Sequence, residues 1–203
     1  MSFGMRYGVL GVAVVAVLSS CGENSQAPES YSVADATRIA NVRPVTRGWT
    51  WPQDPEQPVS SDAPTESAAT DPLLAEFRRQ TAELVDLGDF GSRWRDNNKL
   101  ANLSVGVYGS ASDAHAAMAP FNAFSRGSGE KTGGITKDED IEGLGDEAWL
   151  LVGGSGTRVT YHWRRDNLVL EAHVDCFGYC PGDVDAATRA WVDGIDTEAR
   201  DGS

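Results

Sequence analysis

Two alternating segments constrain this chain most, Arg158 to Arg165 and Leu168 to Asp175, because only Asp166 and Asn167 separate them. Successive side chains of a strand point to opposite faces, so a two-residue loop fixes which residues meet across the hairpin. Asp166 and Asn167 tolerate the positive φ of a type I′ turn, which pairs 165 with 168, 163 with 170, 161 with 172 and 159 with 174. One face then collects Val159, Tyr161, Trp163, Leu168, Leu170, Ala172 and Val174. The other collects Arg158, Thr160, His162, Arg164, Val169, Glu171, His173 and Asp175, with Arg158 opposite Asp175 and His162 opposite Glu171. A slip of one residue would destroy this sorting.

The elements around the hairpin follow from caps and periodicity. Asp71-Pro72 opens a helix that ends at Gly88, with Leu73, Phe77, Leu84 and Leu87 on one stripe. Gly91 to Arg95 and Leu100 to Tyr108 flank Asp96-Asn97-Asn98 as a second hairpin. Ser110 and Asp113 open another helix in which Ala114, Ala117, Met118 and Phe121 share a face, and Pro120 should kink or split it. Gly127 to Gly134 reads as loop, Ile141 to Asp146 leads into a strand over Glu147 to Val152, and Gly153 to Gly156 must turn. A capped helix over Asp183 to Ile195 closes the fold, with Val184, Ala187, Trp191 and Ile195 inward. The expected class is α+β, a mostly antiparallel sheet of about five strands with helices packed on one face.

The ends of the chain speak to address. Met1 to Arg6 is weakly basic, Tyr7 to Leu18 is apolar but too short to span a bilayer, and Ser19-Ser20 are small. That reads as a secretory signal over 1–20, whose removal from 203 residues leaves 183, enough for one folded domain. The run Leu18-Ser19-Ser20-Cys21 resembles the lipobox of bacterial lipoproteins. The resemblance implies a diacylglycerol thioether on Cys21, a new N-terminus there, and a protein held at the extracytoplasmic face of the cell membrane rather than spanning it. Residues 21–30 then form a tether. A Pro-, Ser- and acid-rich stretch within 31–70 reads as partly ordered, and the folded domain occupies 71–203.

Charge and cysteines narrow the partners. The net charge of −13 argues against nucleic acid, because binding a polyanion needs Lys and Arg in excess. Besides Cys21 there are only Cys176 and Cys180, read as a disulfide closing Phe177-Gly178-Tyr179 in an oxidising compartment. Their spacing is not that of a redox motif.

Candidate chemistry is sparse. Asp138, Asp140, Glu142, Gly143 and Asp146 fall near calcium-loop positions, but Trp149 stands where a bidentate acid belongs, and a solvated acidic turn is the favoured reading. His162, His173, Glu171 and Asp175 gather on the polar hairpin face, with Arg158 beside them. That cluster could bind a transition metal or serve hydrolysis, yet such histidines are more often salt-bridged. No nucleophile elbow, phosphate loop or dinucleotide fingerprint is present, so no catalytic residue, metal or cofactor is assigned. Trp49 and Trp51 lie two apart before Pro52, either as a latch onto the domain, the favoured reading, or as an exposed ring pair for a partner.

The run Ile141-Glu142-Gly143-Leu144-Gly145-Asp146-Glu147-Ala148-Trp149, followed by an alternating hairpin and a terminal helix, resembles small actinobacterial cell-envelope lipoproteins and extracellular sensor-type domains. The resemblance implies a non-catalytic binding domain whose polar hairpin face contacts a protein, an envelope polymer or a small ligand. A metal-dependent or hydrolytic envelope enzyme is the alternative, and a structural envelope protein the third.

Overall fold

In the computed structural model, which describes residues 30–45, 48–56, 71–180 and 182–201, the first element is a short helix, α1 (Val33–Ile39). The expected leader, Cys21 and most of the 21–30 tether lie outside the described residues, as does 57–70. A capping box closes α1: the Ser32 hydroxyl accepts the Asp35 N–H, and the Asp35 carboxylate accepts the Ser32 N–H. Helix α2 (Pro72–Thr81) starts as its sequence predicts, with the Asp71 side chain accepting the Leu73 N–H and Pro72 in the first turn. It stops at Thr81 rather than Gly88, because the chain from Asp86 is taken into strand β1 (Asp86–Asp96), which pairs with β2 (Lys99–Tyr108).

Helix α3 (Ala111–Lys131) departs furthest from expectation. It neither splits at Pro120 nor ends at Gly127. Buried Ala114, Ala117 and Met118 anchor its first half, while Phe121 and Phe124 pack against Phe77 of α2, with ring centroids 4.8 and 5.6 Å away. Gly127 belongs to this contact: a Cβ there would stand 2.8 Å from Leu73 Cδ2. The glycine that suggested a loop is what lets two helices approach.

Beyond α3 run β3 (Ile135–Asp140), β4 (Glu147–Gly153), β5 (Arg158–Arg165) and β6 (Leu168–Cys176), and then helix α4 (Val184–Asp201). The six strands form one antiparallel sheet in the order β1-β2-β6-β5-β4-β3, so the fold is α+β with one strand more than predicted. The extra strand, β3, has an almost wholly exposed sequence, Ile-Thr-Lys-Asp-Glu-Asp, with no apolar alternation to reveal it. Charges on an edge strand discourage further pairing.

The β5–β6 register is the expected one, with Trp163 opposite Leu170 and His162 opposite Glu171. The turn itself differs from type I′: φ is positive at Asp166 (+51°) but not at Asn167. Asn167 instead turns its amide inward. Its Oδ1 accepts the Tyr31 N–H at 2.7 Å, and its Nδ2 donates to the carbonyls of Tyr31 and Tyr108 at 3.0 and 2.9 Å.

Helices cover both faces of the sheet, not one. The apolar face, with Trp94, Leu103, Val105, Val159, Tyr161, Trp163, Leu170 and Val174, packs under α4 and α1 through Trp191, Val192, Ile195, Ala36 and Ile39. Trp94 and Trp191 meet edge to face at 5.9 Å. Arg165 forks onto Asp196, which is only 5% exposed, in bonds of 2.8 and 2.9 Å. The polar face lies under α3, on which α2 rests. That second layer has only a small apolar cluster, Tyr108, Ala114, Ala117, Met118 and Val169.

Candidate functional site

Antiparallel register carries the hairpin's polar face across the whole sheet, since residues paired directly across strands share a face. One row runs Gly91, Ser104, Glu171, His162, Trp149. The next runs Arg93, Asn102, His173, Thr160, Leu151, and a third joins Asp175 to Arg158. Helix α3 crosses the β4–β5–β6 part of these rows and leaves the β1–β2 part bare of helix. It presents Asn122, Ser125, Ser128 and Thr132 to the sheet, spaced three or four residues apart as one helical face requires. A polar helix face thus sits on a polar sheet face.

His162 is fully buried at the centre of this contact. Its Nδ1 lies 2.8 Å from Asn122 Oδ1 and its Nε2 lies 3.0 Å from Glu171 Oε2, with Ser125 Oγ at 3.3 Å. Rings flank it: Trp149 at 5.4 Å and Phe121 at 5.9 Å. Each ring nitrogen thus has a side-chain oxygen within hydrogen-bond distance. Burial works to raise the Glu171 carboxyl, but the His162 hydrogen bond and the charges of His162 and His173 outweigh it and hold the group below the usual carboxylate range.

A second chain of contacts begins at Thr160, whose Oγ1 meets His173 Nδ1 at 2.7 Å. His173 Nε2 meets Asp175 Oδ2 at 2.9 Å, Arg158 Nε donates to Asp175 Oδ1 at 2.7 Å, and Arg158 also donates to Thr132 Oγ1 at the end of α3. Burial raises Asp175 too, yet His173 and Arg158 together keep it below its ordinary value. These groups enclose a cavity of about 310 Å³ between α3 and the sheet, which Ser125, Ser128, Thr132, Arg158, Glu171 and His173 help to line.

Glu171 also closes one end of a neighbouring trough of about 290 Å³ on the part of the sheet that α3 does not cover. Gly91 and Ser104 form its floor, and Asp89, Arg93 and Asn102 its sides. Arg93 Nε donates to Asn102 Oδ1 at 2.9 Å. Asp89 lies over Gly106, close enough that a Cβ there would stand 2.8 Å from its Oδ1. Partial loss of water around this carboxylate, together with the charge of Asp86, pushes it up to about 6.

Several of the residues read from sequence come together here and others do not. Arg158, His162, Glu171, His173 and Asp175 share one face, as the register implies, and bond in two adjacent sets, His162 with Glu171 and His173 with Asp175 and Arg158. Roofing by α3 was not foreseen; the hairpin face is neither open sheet nor a set of free ligands. Trp49 and Trp51 do not belong to it. They are 7% and 6% exposed, 5.8 Å apart, and packed into the core on the opposite side of the sheet. Lys99 Nζ sits 5.3 Å from the Trp51 ring while donating to the Thr50 carbonyl and to Asp96. The pair is therefore a latch rather than an exposed ring pair. At about 4–6 kcal/mol of transfer free energy per buried ring, an upper bound, it is strong enough to hold residues 48–51 down.

The calcium-like loop is not formed. Asp138 lies within β3, paired with Arg126 and accepting from Trp149 Nε1 at 2.8 Å, and the Arg126 hydrogen bond keeps its carboxyl below the usual range. Asp140 ends that strand, Glu142 follows it, and Asp146 serves Arg164 and the Asp166 N–H. These carboxylates diverge because a strand, not a helix, leads into the loop. Cys176 and Cys180 are bonded as expected, with Cα atoms 6.2 Å apart. Sequence reasoning missed Asn122, Ser125, Arg93, Asn102 and Ser104; the polar stripe along α3 was the available signal.

No protein family matches the chain, and no curated protein matches it. Among solved structures, the extracellular domain of PknH from Mycobacterium tuberculosis is similar at 10% identity and a TM-score of 0.46, over 85% of this chain and 91% of that one.

Proposed function

We propose that this chain is an extracytoplasmic, lipid-tethered binding protein that takes a small polar ligand into the cleft centred on Glu171. The observation that carries the reading is the meeting of the two cavities, about 310 and 290 Å³, at one carboxylate on a polar sheet face beside an otherwise close-packed apolar core. The signal-like leader, the lipobox resemblance at Cys21 and the Cys176–Cys180 disulfide support the address. No helix among the described residues is long and apolar enough to cross a membrane.

Native mass spectrometry of the chain extracted from its own membranes tests both parts. The expected spectrum shows acyl chains on Cys21 and a small molecule that is lost in Ser104→Trp, whose ring fills the trough. A bare Cys21 sulfur sinks the tether, and an unliganded wild type sinks the cleft.

A hydrolytic reading has one observation in its favour. Ser125 Oγ, His162 Nε2 and, through Nδ1, Asn122 stand in the order of nucleophile, base and orienting group. Against it, Glu171 holds the same Nε2 at the shorter distance. Fluorophosphonate labelling of Ser125 would establish hydrolysis, and an unlabelled serine removes it.

A further inference from the structure

Hydrogen bonds inside the trough leave three charged groups with atoms unspent among the described residues. Glu171 uses Oε2 on His162, and no neighbour meets its Oε1. Arg93 uses Nε on Asn102, and its two terminal nitrogens have no protein acceptor. Asp89 makes no hydrogen bond, although it is flanked by Tyr108 and Asp86. By contrast Arg158, His162, His173 and Asp175 are all engaged by protein partners. The trough therefore offers two acids and one guanidinium to whatever enters it.

Placement follows from the register. Asp89 and Arg93 lie on the same face of β1, four residues and so about 13 Å apart along the strand, with Gly91 between them. Glu171 stands two strands away from Gly91, about 10 Å across the sheet. The floor between the charges is bare: Gly91 has no side chain, Ser104 offers a hydroxyl with no partner of its own among the described residues, and only glycine at 106 leaves room for Asp89. A ligand complementary to this pattern carries one anion at the Arg93 end, one cation near Glu171, and a second cation reached along the glycine floor.

Resting on the cleft reading above, we infer that the trough binds a free basic amino acid. Arg93 and the Asn102 amide take its carboxylate, Glu171 Oε1 and Ser104 take its α-ammonium, and Asp89 takes its side-chain ammonium. Planar, forked donation suits Arg93 to a carboxylate, and an ammonium suits acceptors that converge from several directions. The chain's net charge of −13 draws such a cation in.

The test uses the full chain, with isothermal titration and amide shifts at Gly91, Ser104 and Gly106 as readouts, and three probes at pH 7.5: lysine, norleucine and 1,5-diaminopentane. Lysine should bind at least tenfold more tightly than norleucine, which lacks the side-chain ammonium, and at least tenfold more tightly than the diamine, which lacks the carboxylate. Asp89→Asn should erase the preference over norleucine, and Arg93→Gln the preference over the diamine, with neither lowering the thermal midpoint at pH 7.5. Equal binding of lysine and norleucine by the wild type overturns the inference without any variant. If a neutral disaccharide shifts those amides and lysine does not, the ligand class is wrong and the cleft stands. If neither shifts them, the cleft reading falls as well.

Discussion

Replacing Asn167 by alanine should cost about 3–4 kcal/mol, far more than a turn residue normally contributes. Asn167 is 2% exposed, and its amide makes three hydrogen bonds to backbone: one from the Tyr31 N–H at 2.7 Å and two to the carbonyls of Tyr31 and Tyr108. Each such bond is worth about 1 kcal/mol net, and the backbone groups left facing an apolar methyl add a desolvation penalty of similar size where water cannot reach them. Tyr31 is itself 5% exposed, and its hydroxyl donates to the Ala199 carbonyl, so water has little access. Asn167→Asp discriminates further. The carboxylate still accepts from Tyr31 but now faces two carbonyl oxygens at hydrogen-bond distance, so it should be worse than alanine near pH 7 and recover part of the deficit when protonated. Urea unfolding followed by tryptophan emission reads the difference, and the alanine variant should lose about 6–16 °C in Tm. An alanine variant within about 1 kcal/mol of wild type, or an aspartate variant more stable than alanine at pH 7, refutes the reasoning.

Arg165→Met should cost up to about 3–5 kcal/mol, because it leaves buried Asp196 with only the longer 3.6 Å ion pair to Arg200, and Arg165→Met with Asp196→Leu should recover most of it in the same assay; no recovery would show that the loss lies in packing rather than charge. Pro120→Ala should stabilise by about 1 kcal/mol or more, because alanine restores an N–H donor within α3, and a loss in urea unfolding would show that a kink is required. Stability should fall as pH drops through the depressed carboxyl values of Glu171 and Asp175, since the unfolded chain takes up those protons first. Asp89 acts with the opposite sign. Raised to about 6, it binds its proton more tightly in the folded chain, so its contribution weakens as pH rises from its ordinary value towards 6. Asp89→Asn should flatten that slope in thermal melts, and an unchanged slope would place its origin elsewhere.

The parts legible from sequence were those with a period or a fixed spacing. The β5–β6 register is a consequence of alternation around a two-residue loop, and it delivered the pairs His162 with Glu171 and Arg158 with Asp175. Strand β3 could not be read that way, because an exposed edge strand buries nothing and leaves no apolar pattern. Gly127 and Gly129 suggested a loop by composition, yet they serve helix packing against Leu73 and against Ile135 and Leu151. In the candidate site, the sheet's half of the network was visible while the half from α3 was not. Whether Asn122 or Ser125 meets water or His162 depends on where the helix lies, and only tertiary packing decides that. The same limit concealed Asn167, whose side chain has partners far away in sequence at Tyr31 and Tyr108.

The two faces of the sheet therefore do different work. On the α4 side, Trp94, Trp163, Trp191 and their neighbours form a buried apolar layer in which a change of a single methylene is felt. On the α3 side a small apolar cluster anchors the first half of the helix, and directional contacts through His162, Arg158 and Arg126 hold the rest, with cavities left between them. Polar contacts of that kind fix position while adding little net stability, since each replaces a bond to water. A layer so built can take up a polar guest by exchanging one hydrogen bond for another, at no cost to the core beneath. Glu171 is where that exchange is least costly: one oxygen stays on His162 and holds that contact intact, and the other has no protein partner among the described residues, on a side chain that lines both cavities.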